Sequence, residues 1–599
     1  MPDFDVVVLG GGTSGVLVAT GLVHAGRSVA LVEAGLVGGE SPYLACLPST
    51  SMLASARRGE PWEHAVARRN GVTGHLDDSL FAARLADAGV RLIRGTGQVT
   101  EPGTIEVTTV GRGRRGQPEK PEKTVLGYGD LVIATGSEPL APPVEGLTDV
   151  PTWTSAEALS SQDLPRHLIV MGAGPAGCEL TQIYAAFGSQ VTLIEAEPRV
   201  LPDEAPFAGE ILSDALRRMG ADLRLGSPVV KAAPLDKGLA LILADGTSLE
   251  GDRILLATGR RPRLAGLGLD KLGITPSAAG ALPVDATCRV QAANGQPAGT
   301  TGQPARATGQ PARATGQPTT SLAPPTTAPA QPTTAPAQPA AAATAQPAAA
   351  PGQPVAAPAQ SAAAPAQPAA ASAQPAAPPA QPATVPEQPV AATGQPATAP
   401  GQRVPASERP NAATGGPATV PGQPAAATGQ PTGTGRVWAT GDVTGIAPYT
   451  HTARYQASVV IANILGEQRV ADYRAIPRCV YTTPSVCCVG VSPGQAAAAG
   501  IQLRTVGHDL AGTARAAVED DDRGRIELYA DVTRGDTLVG AAAVGRGAEE
   551  WMGELALAIR AGIPLKMLAD VVHAFPTYGE AIERSLRELA VGVPKGDDR

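Results

Sequence analysis

The stretch DVVVLGGGTSG at residues 5–15 decides the fold. Residues 5–9 are a short β-branched run that reads as a buried strand; Gly10-Gly11-Gly12-Thr13-Ser14-Gly15 follows at once, and a helical pattern then runs to His24. A second strand-like run, 28–32, ends in Glu33. In this strand-turn-helix-strand setting Gly10 permits the tight turn, Gly12 the close approach of a pyrophosphate and Gly15 the packing of helix on strand, while Glu33 is placed for ribose hydroxyls. The first helical turn offers N–H groups and a positive dipole end to the phosphates. The pattern recurs as LIVMGAGPAG at residues 168–177, with Gly172, Gly174 and Gly177 in the same three places, then a helix to Phe187, a strand at 190–194 and Glu195. An acid at that strand end accepts from a free 2′,3′-diol and repels a 2′-phosphate, which favours NADH over NADPH; Arg199, four residues on, is within reach of a phosphate. Two such units predict two dinucleotides, one prosthetic and one a diffusing hydride donor, for which FAD and NAD(P)H are the natural pair.

Composition bounds the rest. The 599 residues include 70 Gly and 58 Pro, and residues 291–434 are built almost wholly from Ala, Pro, Gln, Thr and Gly with no aromatic residue. A seven-residue unit, TGQPARA, repeats from Thr301. It is no coiled-coil heptad, because a proline in each unit removes helical hydrogen bonds and no apolar seam exists. The segment predicts a long disordered Pro/Ala/Gln-rich insertion of polyproline II character, either a spacer or docking element or a tolerated expansion. Its flanks, LPVDATCRVQ (282–291) and GRVWATGDVTG (435–445), both read as strands that a short turn could join, so the insertion interrupts one folded domain. A net charge of −8 without a basic block gives no reason to expect a nucleic-acid or anionic-membrane partner. No apolar run reaches the ~18–20 residues of a membrane span, and no basic segment precedes the first strand, so neither a membrane span nor a signal peptide is expected. Six cysteines without zinc spacing predict no disulfide framework and no metal site, and the chain reads as cytoplasmic.

Outside the insertion the chain resembles the two-dinucleotide flavoprotein disulfide reductases, the family of glutathione reductase, dihydrolipoyl dehydrogenase and mercuric reductase. Ala134-Thr135-Gly136 and Ala257-Thr258-Gly259-Arg260 follow apolar strands in both halves, as in that family. VWATGDV (437–443) matches its second flavin motif, whose acid, here Asp442, binds the ribityl or pyrophosphate region; Thr450-His451-Thr452 matches the start of a helix aimed at the flavin pyrimidine edge. The resemblance implies an α/β fold with two Rossmann-like domains, FAD- and NAD(P)-binding, plus an α+β C-terminal dimerisation domain, and hence a homodimer. The corresponding boundaries are 1–150, 263–290 and 435–470 for the FAD domain, 151–262 for the NAD(P) domain, 291–434 for the insertion and 471–599 for the interface domain. Gly10, Gly12, Gly15, Glu33, Gly39, Thr135, Gly136, Asp442 and Thr450 are then the FAD residues, and Gly172, Gly174, Gly177, Glu195 and Gly259 the NAD(P) residues.

The chain departs from the family where sulfur does the work. The family's redox segment carries two cysteines; here GGESPYLACLPST (38–50) has Ser41 in the place of the first and Cys46 in the place of the second. One sulfur cannot form an intramolecular disulfide. Thr50 stands for a lysine whose usual partner corresponds to Glu179, and Pro175 for an aromatic gate. At the far end, HAFPTYGE (573–580) puts Phe575 where the family has a histidine base, so Glu580 has no imidazole to orient and His573 is displaced by two positions. Cys46 reads either as a flavin-contacting thiol or as an inert packing residue; Cys487 and Cys488, adjacent in an apolar run, predict opposite faces of a strand. Tyr43 and Phe575 either form an aromatic slot or fill space. The expectation is an NAD(P)H-dependent FAD oxidoreductase serving a quinone-like or other small acceptor without a dithiol relay, with Cys46, Glu179 and Glu580 as candidate catalytic residues. Its alternatives are a single-cysteine disulfide or peroxide reductase working through Cys46, a dihydrolipoyl dehydrogenase-like enzyme, and a non-catalytic flavoprotein module.

Overall fold

The structure is a computed structural model that describes residues 2–109, 121–298, 435–521, 523–533 and 535–591. The proline-rich sequence at 299–434 lies outside the described residues, and so does the disorder expected for it.

The first strand, β1 (Phe4–Leu9), buries its last four residues and leads into α1 (Thr13–His24) and β2 (Val29–Glu33). A helix, α2 (Cys46–Arg57), a short strand, β3 (Arg91–Arg94), and a long strand, β4 (Glu122–Ile133), complete this part of the chain. The parallel order is β3-β2-β1-β4, with Val6 opposite Val29 on one side and Asp130 on the other. The near-continuous apolar runs follow from burial on both faces, which parallel sheets require. A second sheet repeats this. Strands β5 (His167–Met171), β6 (Gln190–Ile194), β7 (Asp222–Arg224) and β8 (Arg253–Leu256) run in parallel order β7-β6-β5-β8, with α3 (Pro175–Ala186) crossing between β5 and β6. These are two Rossmann-like folds.

The chain on the far side of 299–434 returns to the first sheet. Strand β9 (Arg436–Ala439) pairs parallel to β4, its Arg436 bidentate on Asp130 at 2.7 and 2.6 Å, and the Trp438 indole N–H also donates to Asp130 at 2.9 Å. The preceding flank meets it: Val290 N–H donates to Val437 O at 2.9 Å and Ala439 N–H to Cys288 O at 3.0 Å. Residues 291–298, which composition assigns to the insertion, are described and lie against this flank. Ala298 is buried and its N–H donates to Val290 O at 2.9 Å, while the Gln291 side-chain amide donates to Asp285 at 3.1 Å.

The third layer is an antiparallel sheet of β10 (Arg478–Val480), β11 (Ser485–Gly490), β12 (Leu503–Asp509), β13 (Arg525–Asp531) and β14 (Leu538–Gly545), in order β10-β11-β14-β13-β12. Its residues alternate between two cores, as a period of two demands. Val486, Cys488, Ala542 and Val544 pack on Leu180, Ile183 and Tyr184 of α3, whereas Cys487, Val489, Ala541 and Ala543 pack under the C-terminal helices, including α5 (Gly579–Val591). Cys487 and Cys488 therefore face opposite ways, as expected. Among the described residues no helix is long and apolar enough to cross a membrane. Nor does any group of three or more His, Cys, Asp or Glu among them form a metal site.

Candidate functional site

The two glycine turns impose the same three steric demands. A Cβ on Gly10 (φ +101°) would lie 2.3 Å from Ala134 O, and one on Gly172 (φ +99°) 2.5 Å from Ala257 O. A Cβ on Gly15 or Gly177 would lie 1.9 Å from the carbonyl oxygen of Gly10 or Gly172. The middle glycines differ from both: at Gly12 the nearest atom is 4.0 Å away, and at Gly174 none lies within 4 Å. Each turn thus has two glycines that the protein itself needs and one that opens on free space at a helix N-terminus, where an anion fits. Glu33 accepts from Gly11 N–H at 2.5 Å, and Glu195 from Ala173 N–H at 2.6 Å. Both acids stand beside their turns, as their spacing predicts. Gly39 (φ +75°) backs the first turn, since a Cβ there would lie 2.8 Å from the Gly12 Cα. The residues present fit two dinucleotides. Arg199 is turned away from phosphate chemistry, its guanidinium donating to the carbonyls of Glu204 and Pro202.

A polar network joins the two folds. Ser137 Oγ donates to Asp442 at 2.6 Å, and Arg260 donates to Ser137 Oγ at 2.7 Å and to Glu40 at 2.5 Å. Thr135 donates to Arg263 O at 2.7 Å, Gly136 (φ +70°) accepts from Arg263 N–H at 2.9 Å, and Gly259 (φ +112°) accepts from Leu140 N–H at 3.0 Å. The paired Thr-Gly segments therefore serve as crossing points between domains. A cleft of about 2000 Å³ runs from Gly174, Glu195 and Gly259 past Asp442 to Arg478 and Cys479.

Ser41, Cys46 and Thr450 come together from segments some 404 to 409 positions apart. Thr450 opens the helix α4 (Thr450–Ile464); its hydroxyl donates to Ser41 Oγ at 3.2 Å and lies 3.5 Å from Cys46 Sγ. Cys46 is exposed at the first position of α2. Two hydroxyls and one sulfur thus form a single cluster. Behind it, Glu179 takes new partners in place of a lysine: the Ser49 hydroxyl donates to one carboxylate oxygen and Tyr481 N–H to the other at 3.0 Å, while Thr50 points outward. Desolvation pushes the Glu179 carboxyl above its usual range, against the pull of those two donors. Glu179 thereby ties α2 to the segment that follows β10.

The C-terminal candidates lie in the third layer. Phe575 is 75 % exposed. Glu580 accepts from Ala514 N–H at 3.3 Å, and its other oxygen is buried without a hydrogen-bond partner. His573 is occupied with Glu554 at 3.0 Å, which fits a structural role. Tyr43 is buried edge-on against Phe81, with ring centroids 6.1 Å apart. Cys178 is packed and inert, its thiol donating to Ala173 O at 3.3 Å, with burial pushing it far up. Sequence reasoning missed the pair Cys479 and Cys487, whose sulfurs lie 2.9 Å apart. Two cysteines eight positions apart around a Thr-Thr-Pro turn were the available signal. It also missed Glu40 as the partner of Arg260.

Comparison with known proteins gives concordant results. The profile described as "Pyridine nucleotide-disulphide oxidoreductase" matches residues 4–294, and that of the corresponding dimerisation domain matches residues 476–586. A mercuric reductase from Streptomyces lividans is 23 % identical over 617 residues, covering 99 % of this chain and 97 % of that protein. A dihydrolipoyl dehydrogenase from Thermus scotoductus is 33 % identical over 317 residues, covering 49 % of this chain and 65 % of that one. Among solved structures, the HOCl-induced flavoprotein disulfide reductase RclA from Escherichia coli, as a Cu(II) complex, superposes with a TM-score of 0.67 at 21 % identity, covering 99 % of this chain and 100 % of that one.

Proposed function

We infer the reaction from the premise that this chain belongs to the pyridine nucleotide-disulphide oxidoreductase family, whose members bind FAD and NAD(P)H. It is an FAD-dependent pyridine nucleotide oxidoreductase, and its dimerisation domain supports a homodimer. We propose that it uses NADH in preference to NADPH and delivers electrons to a quinone-like or other small acceptor without a dithiol relay beside the flavin. The bound nicotinamide and flavin supply the hydride chemistry.

What the chain supplies is position and charge. In this reading Gly10, Gly12, Gly15, Glu33, Gly39, Thr135, Gly136, Asp442 and Thr450 hold FAD, and Gly172, Gly174, Gly177, Glu195 and Gly259 hold the nicotinamide nucleotide. The Glu195 carboxylate stands beside the second turn and the Arg199 guanidinium is engaged with backbone carbonyls, which supports repulsion of a 2′-phosphate. The observation that carries the proposal is the Ser41–Thr450–Cys46 cluster. A hydroxyl, bonded to Thr450, stands where a second sulfur would be needed, so Cys46 has no partner there with which to form a disulfide. Phe575 supports the same conclusion, since a phenyl ring exchanges no proton with a leaving thiol.

A single-cysteine route is the second reading, favoured by the exposure of Cys46 and its contact with Thr450. Steady-state NADH oxidation separates the two. A small quinone should be reduced and lipoamide or glutathione disulfide barely so, with Cys46→Ser keeping quinone turnover within about twofold, a change under ~0.5 kcal/mol. Robust lipoamide turnover would sink the first reading, and peroxide or disulfide reduction abolished by Cys46→Ser would establish the second.

A further inference from the structure

Strands β10 and β11 are antiparallel, and their register sets Cys479 opposite Cys487, between the pairs Arg478–Cys488 and Val480–Val486. Directly opposed residues have Cα atoms ~4.5–5.5 Å apart, within the ~4.4–6.8 Å that a disulfide spans, and their side chains share one face of the sheet. The two sulfurs lie 2.9 Å apart, and both are free thiols. The two thiols differ in access. Cys487 is buried in the C-terminal core, while Cys479 is half-buried and lines the large cleft alongside Arg478 and Tyr449. The neighbouring Cys479 sulfur and burial push the Cys487 thiol far up, so the more accessible Cys479 is the thiol that meets an external disulfide first. Cys488 belongs to the opposite face and the other core, so it does not compete for either sulfur.

We propose that Cys479 and Cys487 are a redox-active dithiol on the cleft wall, converted to a cross-strand disulfide by exchange with a low-molecular-weight disulfide. The Cys479 thiol loses its proton, and the thiolate attacks one sulfur of the external disulfide. A mixed disulfide forms, the external S–S bond breaks, and the first leaving thiolate takes up a proton. Cys487 then loses its proton and attacks the sulfur of Cys479, expelling the second thiolate, which is protonated in turn. Two protein thiols are oxidised by two electrons, and one external disulfide is reduced to two thiols. Cys46 takes no part. The bridge would fasten β10 at the point where it meets the second Rossmann-like fold, because Arg478 is bidentate on Glu204 at 2.7 and 2.9 Å and Tyr481 N–H is held by Glu179.

The test uses the holoenzyme, incubated with millimolar glutathione disulfide, alkylated and digested with trypsin. Cleavage after Arg478 and Arg504 leaves Cys479, Cys487 and Cys488 on one peptide. That peptide should lose about 2 Da, two hydrogens, and carry a single alkyl group on Cys488, reversibly on adding a dithiol. The loss should persist in Cys46→Ser and Cys488→Ser and vanish in Cys479→Val and Cys487→Ala, two apolar replacements that keep flavin content as the check on folding. Three results would overturn the proposal: alkylation of all three thiols after oxidation, a two-hydrogen loss that survives in Cys479→Val, or a stable glutathione adduct on Cys479 beside an alkylated Cys487.

Discussion

At residues 10–15 and 172–177 the chain builds the same turn twice, and the differences between the copies are as instructive as the likeness. Both carry a glycine jammed against a neighbouring strand, a glycine jammed against the first one's carbonyl and a glycine facing open space. They diverge at the first helical residue, which is Thr13 in one and Pro175 in the other. Proline there costs the helix nothing, since that N–H has no intrahelical acceptor, but it removes one donor from the anion site. The first turn thus offers an anion one more backbone donor than the second.

Substitutions at the glycines should break this symmetry most severely. Gly15→Ala sets a Cβ 1.9 Å from a backbone oxygen, so the first fold cannot close and flavin absorbance in the purified protein should fall to background. Gly12→Ala meets no protein atom closer than 4.0 Å and should give folded apoprotein, with helical signal kept and flavin absent. Gly174→Ala, with open space around it, should retain flavin and raise the KM for NADH about tenfold or more, ~1.4 kcal/mol of binding. Loss of flavin from Gly174→Ala would show that the two turns do not serve separate nucleotides.

Glu195→Ala removes the charge and the acceptor at the ribose end of the second turn only. The ratio of kcat/KM for NADPH to that for NADH should rise about tenfold, close to ~1.4 kcal/mol. The smallest change is Pro175→Ala, which restores the donor that the first turn has. One hydrogen bond is worth ~0.5–1.5 kcal/mol, so the KM for NADH should fall roughly two- to tenfold. An unchanged KM would mean that the donor count at this position does not distinguish the turns.

The doubly wound folds were legible because glycine spacing and apolar runs are local, and β1, α1 and β2 lie consecutively in the chain. The docking of 435–445 against 282–291 was legible from composition instead, since two strand-like segments flank a stretch that cannot form a core. What stayed hidden depends on contacts between distant segments. Ser137 and Asp442 are 305 positions apart, and nothing local marks them as partners. Cys479 and Cys487 face one another only once the hairpin register is known; a slip of one residue would point them apart. Tyr43 looked available in the sequence, yet Phe81 buries it. At the thiol site the substituted positions were plain from spacing alone, while the replacement of a lysine partner by Ser49 and the Tyr481 amide needed the packing of α2, α3 and β10 to be seen.

The most direct test of a relay-free flavin site is an anaerobic reductive titration of Cys479→Ser holoenzyme, in which the cross-strand pair can store no electrons. With one sulfur at Ser41–Thr450–Cys46, reduction should be complete at about two electrons per flavin, the equivalent of one hydride. Uptake continuing to about four electrons per flavin would reveal a disulfide in exchange with the cofactor and contradict direct delivery to the acceptor.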